Sequence, residues 1–333
     1  MILHPGVLAL LLSSAVVAVM ALCASFIGLS IVRSWDISSS SELQLSLERK
    51  TYLISTIINT ALFIEVLSLF LFIFTADDIH KLFVGAMCAT GALNANPVGW
   101  YVLYTKIITF LISSVWLFIN YIDQQGEDYP LVKFKYILLV FVSPLILLEF
   151  ILTFKYFNGL KPEMITSCCG SLFGGEEKSV ASALAALPVK PMMYVFYIST
   201  LCLLSVLIGS VKTNAGVFRY LAAGLSVPYL IVSIASLISF ISIYYYELPT
   251  HHCPFDVLKG QYNYVGYPLF VSLLGAVSFT IATGVSEFFR DIPSITVVVD
   301  KVQKKWAVIS IIFLVIFAVL STWPLVFTSF TPF

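Results

Sequence analysis

The sequence predicts an all-α, polytopic integral membrane protein: a single helical bundle of about eight transmembrane helices occupying residues 1–333. Three observations carry this. The chain is 59% hydrophobic and 11% charged, with a mean hydropathy of +0.98, whereas a soluble domain carries about 25% charged residues. Its apolar residues come in runs of about 20 or more, the length a helix needs to cross a hydrocarbon core of about 30 Å. Eighteen basic residues balance eighteen acidic ones, so bulk charge offers a nucleic acid no attraction. A soluble enzyme, a secreted domain and a disordered tail are excluded, and the lipid bilayer is the first expected partner.

The first run covers residues 6–32. It has no basic n-region, it exceeds a signal-peptide core in length, and Leu22 before Cys23 departs from a lipobox, so it is expected as a retained helix. From Ser41 the polar and apolar residues up to Lys50 read as a capped amphipathic lead-in to the second run, 52–76, or as a docking segment for a cytoplasmic partner. Residues 82–93 are too few to span and are expected in the interface. The third and fourth runs are 100–122 and 136–157. A loop over 158–191 follows, with an alanine-rich helical stretch at 179–187. The fifth run is 192–211, and the sixth, 217–246, is long enough to tilt or to kink at Gly224 and Pro228. The seventh is 264–289 and the eighth 306–327.

Basic residues in loops set the orientation. The odd-numbered loops hold eleven, among them Lys135, Arg219 and Arg290, against six in the even-numbered loops. This predicts odd loops in the cytoplasm, both termini extracytoplasmic, and a bacterial-type inner or plasma membrane as the location.

That topology sorts the rare residues. Cys88 falls in the second loop, Cys168 and Cys169 in the fourth and Cys253 in the sixth, all on the expected extracytoplasmic side with His4, His80, His251 and His252. Cys23 and Cys202 lie within spans. Four loop cysteines in an oxidising compartment first suggest two structural disulfides in a non-catalytic subunit of a membrane complex. Thiol–disulfide or electron exchange is the sharper reading, because it needs an accessible thiolate, a resolving thiol and a field favouring the thiolate. His251-His252-Cys253-Pro254-Phe255-Asp256 supplies a cysteine beside two imidazoles, with Asp256 where a C-x-x-C would have its second cysteine. Cys253 is the expected attacking thiol, assisted by His251 or His252 with Asp256 as their anchor. Cys168, Cys169 and Cys88 are the expected resolving partners. The electron acceptor would be a quinone, with Tyr262 and Tyr264 as pocket residues in what otherwise reads as an aromatic belt, or another membrane or extracytoplasmic protein. A third reading is handling or transport of soft Cu or Zn by Cys168, Cys169, Cys253, His252 and His80.

Ionisable groups inside spans default to function. Glu65 lies midway along the second run, and Lys106 and Glu149 are placed at matched depth on the third and fourth, so the latter two are expected to pair or to form a polar track toward Glu65. Glu287 beside Arg290 reads as a helix-end charge. No C-x-x-C-H and no histidine within a span exist for haem, and no G-x-x-x-x-G-K-[ST] for a nucleotide. Cysteine-bearing loops over a helix bundle are similar in plan to disulfide-forming membrane oxidoreductases of the bacterial oxidase and vitamin K epoxide reductase type. Those proteins use a smaller bundle and a C-x-x-C, both missing here, so the resemblance is one of plan and no family is claimed.

Overall fold

The computed structural model describes residues 2–36, 39, 41–126, 128–161, 164–166, 187–213 and 215–330. The alanine-rich 179–187 stretch (apart from Leu187) and Cys168 and Cys169 lie outside the described residues. Eight helices are long and apolar enough to cross a membrane, and no strand occurs among the described residues beyond an isolated bridge between Val84 and Ile165. The long helices are α1 (Pro5–Ser34), α2 (Glu42–Ile79), α4 (Gly99–Asp123), α5 (Val132–Gly159), α6 (Val189–Lys212), α7 (Gly216–Ser236), α9 (Gly266–Glu287) and α10 (Thr296–Phe327); α3 (Ala89–Asn94) and α8 (Ser242–Tyr246) are short.

Local chemistry explains the ends. Pro5 starts α1, where a missing N–H costs nothing. Ser41 caps α2 by accepting from Gln44 N–H at 3.3 Å, so the amphipathic lead-in is continuous with the span. The sixth span passes through Pro228 as helix, and its irregularity falls instead at a π-helical turn, Leu237–Ile241. There Ser242 Oγ donates to Leu237 O at 2.5 Å, a side-chain bond that feeds the wider turn.

The chain divides into two compact units, one comprising Met1–Val84, Ala92–Ile165 and Phe289–Val299, the other Gly85–Gly91, Thr166–Phe288 and Asp300–Phe333. In the first, α1 packs on α2 and α5, and α4 closes the ring against the same two helices. Its core holds Ile58, Leu62, Trp116, Tyr136, Leu139 and Ile146. Ser25 on α1 donates to Ser143 Oγ on α5 at 2.8 Å, the interhelical hydrogen bonding expected where apolar burial does not drive helices together.

In the second unit, α7 packs on α6 and α9. Ser310 on α10 meets Thr280 Oγ1 of α9 at 2.6 Å, and Thr322 on α10 meets Tyr197 of α6 at 3.1 Å, completing another four-helix ring. Small residues set its spacing: a Cβ on Gly284 would lie 2.3 Å from Ala223 Cβ and 2.9 Å from Arg219 O.

Candidate functional site

The loop between α8 and α9 is folded around one hydroxyl. Tyr246 Oη donates to Cys253 O at 2.5 Å and accepts from Val257 N–H at 3.0 Å. Its ring also packs on His251 and Tyr262, with centroids 4.6 and 4.8 Å away. Two 3-10 turns, Asp256–Leu258 and Gly260–Tyr262, carry the chain onward. Asn263 and Tyr264 then turn it through the left-handed region at φ 53° and 55°, a conformation asparagine tolerates better than tyrosine.

Segment Gly85–Gly91 belongs to the same unit and lies against this loop. Gly85 at φ +84° brings its backbone so close to Thr166 O that a Cβ would sit 2.5 Å from it. Thr166 Oγ1 donates to Gly91 O at 3.0 Å, and the Lys259 ammonium donates to Met87 O. These anchors flank Cys88 and place its Sγ 3.1 Å from Cys253 Sγ, with Thr90 Oγ1 3.3 Å from Cys253 Sγ. Cys88 is 0% and Cys253 2% exposed. The sulfurs are about 1 Å farther apart than in a disulfide, and both are free thiols, as are the exposed Cys23 and Cys202.

Asp256 organises the charge beside the thiols. Its Oδ2 is 2.6 Å from His251 Nε2 and its Oδ1 is 2.7 Å from Lys259 Nζ. Burial pushes the Asp256 carboxyl up, but the hydrogen bonds and charges of His251 and Lys259 outweigh it and hold the group below the ordinary carboxylate range. Burial and the Asp256 charge push the Tyr262 phenol up.

The sequence-predicted residues are thus partly gathered. Cys88, Cys253 and Asp256 form one buried group with potential ligand atoms within 4.8 Å of one another. His251 is tied to Asp256, and His252 Nδ1 is 2.8 Å from Ile238 O, a bond that orients its ring onto the π-helical turn. His80 belongs to the first unit, where its ring bonds Asp77 O. Tyr262 is half-buried against Tyr246, while Tyr264 is exposed.

The intramembrane charges form sites of their own. Lys106 Nζ lies 2.6 Å from Glu149 Oε1 and donates to Ser68 Oγ at 3.0 Å, with all three residues buried. Two further buried pairs escaped the sequence reading. Lys135, counted there as a loop charge, is inside α5 and 2.6 Å from Asp123. Arg219, counted likewise, is buried in α7 with Nη1 2.7 Å from Glu287 Oε2. Glu287 also accepts from Gln303 at 2.8 Å, so it is an interhelical anchor and not merely a helix-end charge. A pairing signal was present: Asp123 and Lys135 flank one short loop, and Arg219 and Glu287 each fall at a span end with an opposite charge available.

No protein-family model, curated protein or solved structure matches the chain. A functional reading therefore rests on the residues themselves.

Proposed function

We propose that the protein is a membrane thiol–disulfide exchange protein whose two-electron couple is Cys88 and Cys253. The observation that carries this is the 3.1 Å approach of two thiols 165 residues apart, held by a clamp of specific side-chain bonds. In the reducing direction the Cys253 thiolate attacks one sulfur of a substrate disulfide. The substrate S–S bond breaks, the first substrate sulfur leaves as a thiolate and takes a proton from water, and a mixed disulfide remains. The Cys88 thiolate then attacks Cys253 Sγ and expels the second substrate sulfur. The substrate gains two electrons and the protein is left with a Cys88–Cys253 disulfide. A dithiol donor resets it by the reverse steps, and a bilayer quinone is the alternative electron partner when the pair runs as an oxidant.

Thr90 Oγ1 lies 3.3 Å from Cys253 Sγ, and Asp256 fixes the His251 ring and the Lys259 ammonium nearby. With the helix-buried Lys135 and Arg219 set aside, nine basic residues on the odd-numbered-loop side still stand against six, which supports an extracytoplasmic location for this face and an extracytoplasmic or membrane protein as the substrate.

Full burial of both sulfurs favours a second reading, a structural staple in a non-catalytic subunit, because buried cysteines are ordinarily inert. Soft-metal handling fits less well: Asp256, the carboxylate grouped with the thiols among the described residues, already holds His251 and Lys259. Equilibration of the detergent-purified protein in thiol/disulfide buffers, followed by alkylation and mass spectrometry, separates these readings. An exchange couple interconverts above about −300 mV, where structural disulfides stay closed. A pair that never oxidises, or that stays closed below that potential, ends the exchange proposal. Zinc retained stoichiometrically by the wild type and lost in Cys253→Ser transfers the thiols to the metal reading.

A further inference from the structure

The buried ions of the first unit do not balance in pairs. Lys135 faces Asp123 at 2.6 Å, one cation to one anion. In the second unit, Arg219 likewise faces Glu287 at 2.7 Å, and Asp256 has both His251 and Lys259. At the remaining site two acids meet a single base. Glu149 Oε1 takes the Lys106 ammonium at 2.6 Å and the Thr153 hydroxyl at 3.4 Å. Glu65, 2% exposed, has the Ser68 hydroxyl 3.4 Å from its Oε1, and that hydroxyl accepts from Lys106 Nζ at 3.0 Å, so both acids border the one ammonium. One oxygen of each acid, Glu65 Oε2 and Glu149 Oε2, is buried without a donor.

An ionised carboxylate only accepts, so a carboxyl oxygen buried without a donor is satisfied only when it carries a proton itself. One proton held on the two acids brings the cluster from a net charge of −1 to neutrality. Without it, an uncompensated anion sits among the helices, which is costly in a span. We propose that Glu65, Glu149 and Lys106 form a one-proton binding site inside the first unit. The ligand is an exchangeable proton shared by the two glutamates, with Glu149 held in register by Lys106 and Glu65 as the member that releases its proton to water.

The surroundings contain no competing charge among the described residues. From α2 the site is faced by Glu65 and Ser68, from α4 by Lys106 and from α5 by Glu149 and Thr153. The ring of Phe72 on α2 lies 5.8 Å from the ammonium and offers it an apolar, π-rich wall. The helix α1, which packs on α2 and α5, brings only Cys23, which is exposed, and Arg33 in its last turn as ionisable residues. The occupancy of the proton is therefore set by the three members themselves.

Infrared difference spectroscopy of the full-length protein in lipid reads a protonated carboxyl directly through its C=O stretch. The expected result is one such band at neutral pH that shifts in D2O, disappears as pH is raised, and is missing in both Glu65→Gln and Glu149→Gln. Either substitution leaves one acid for one base, which needs no extra proton. Lys106→Met removes the base, so both acids must be neutral and the band should grow about twofold. Circular dichroism and thermal unfolding confirm that each variant is folded; Glu65→Gln, which mimics the neutral carboxyl, is the mildest. A wild type without the band, a band that survives either glutamine substitution, or a band that does not shift in D2O overturns the proposal. Loss of the band when Na⁺ replaces K⁺ at constant pH overturns the proton as ligand and assigns the site to a metal cation.

Discussion

Replacing Lys135 by Met tests how much the buried charges hold the first unit together. Lys135 Nζ lies 2.6 Å from Asp123 Oδ2 and donates to Asn120 Oδ1 at 3.1 Å, and its side chain is 1% exposed against 0% for Asp123. At that separation and an effective dielectric constant of about 20, the gross attraction is about 6 kcal/mol. Desolvating the two ions costs several kcal/mol each, so the intact pair is close to energetically neutral. Removing one partner is different. Lys135→Met leaves Asp123 with the Leu131 N–H at 2.8 Å and an uncompensated charge, for an expected loss of about 3–5 kcal/mol. The double variant Lys135→Met/Asp123→Asn keeps an acceptor for Leu131 N–H and carries no buried charge. It should recover at least half of that loss. Unfolding in mixed micelles, followed by tryptophan fluorescence, measures both, because Trp116 Nε1 donates to Lys135 O at 2.9 Å and reports on the site. A single variant within about 1 kcal/mol of the wild type, or a double variant as unstable as the single, would refute the charge argument.

Two more outcomes follow from the second unit. Gly284→Ala forces α7 and α9 apart, since the new methyl meets Ala223 Cβ and the Arg219 backbone oxygen; a loss of about 1–3 kcal/mol is expected in the same unfolding assay, and a neutral result would show that the helices slide freely. Asp256 has a lowered folded-state pKa, so its contribution is present above the ordinary carboxylate value of 3.8 and is lost as pH falls through the folded value. The groups facing it are His251, Lys259, Tyr246, Tyr262, Cys88 and Cys253. Alkylation of Cys253 with a thiol reagent active in acid should accelerate in the wild type only as pH falls below the ordinary carboxylate value of 3.8 but be fast and flat across that range in Asp256→Asn. Equal, pH-independent rates in both proteins would remove Asp256 from the clamp.

Span number and approximate limits were legible because a bilayer-length apolar run has few other uses. The Ser41 cap and the continuous entry to α2 were legible for a local reason as well: capping joins residues three apart. Matched depth on adjacent spans made the pairing of Lys106 with Glu149 foreseeable. The site around Cys253 was legible only in part. Its neighbour in chain, His251, does bond Asp256, a contact over five residues. That Cys88 is the thiol beside it, and that Lys259 and Thr90 hold the two together, depends on segments far apart in sequence whose register no periodicity records.

By itself, then, the sequence determined the solvent of this protein, its helical class and the short list of residues able to do chemistry, because hydrophobicity and composition are properties of segments. Tertiary structure decided the division into two four-helix units, the partners of Lys135 and Arg219, and the burial of Glu65 beside Ser68, which joins it to the Lys106–Glu149 pair. Those are facts of distance and burial. A charge that reads as a loop cation in the chain becomes a neutralised interior ion only when its partner on another helix arrives within 3 Å, as Arg219 and Glu287 do at 2.7 Å.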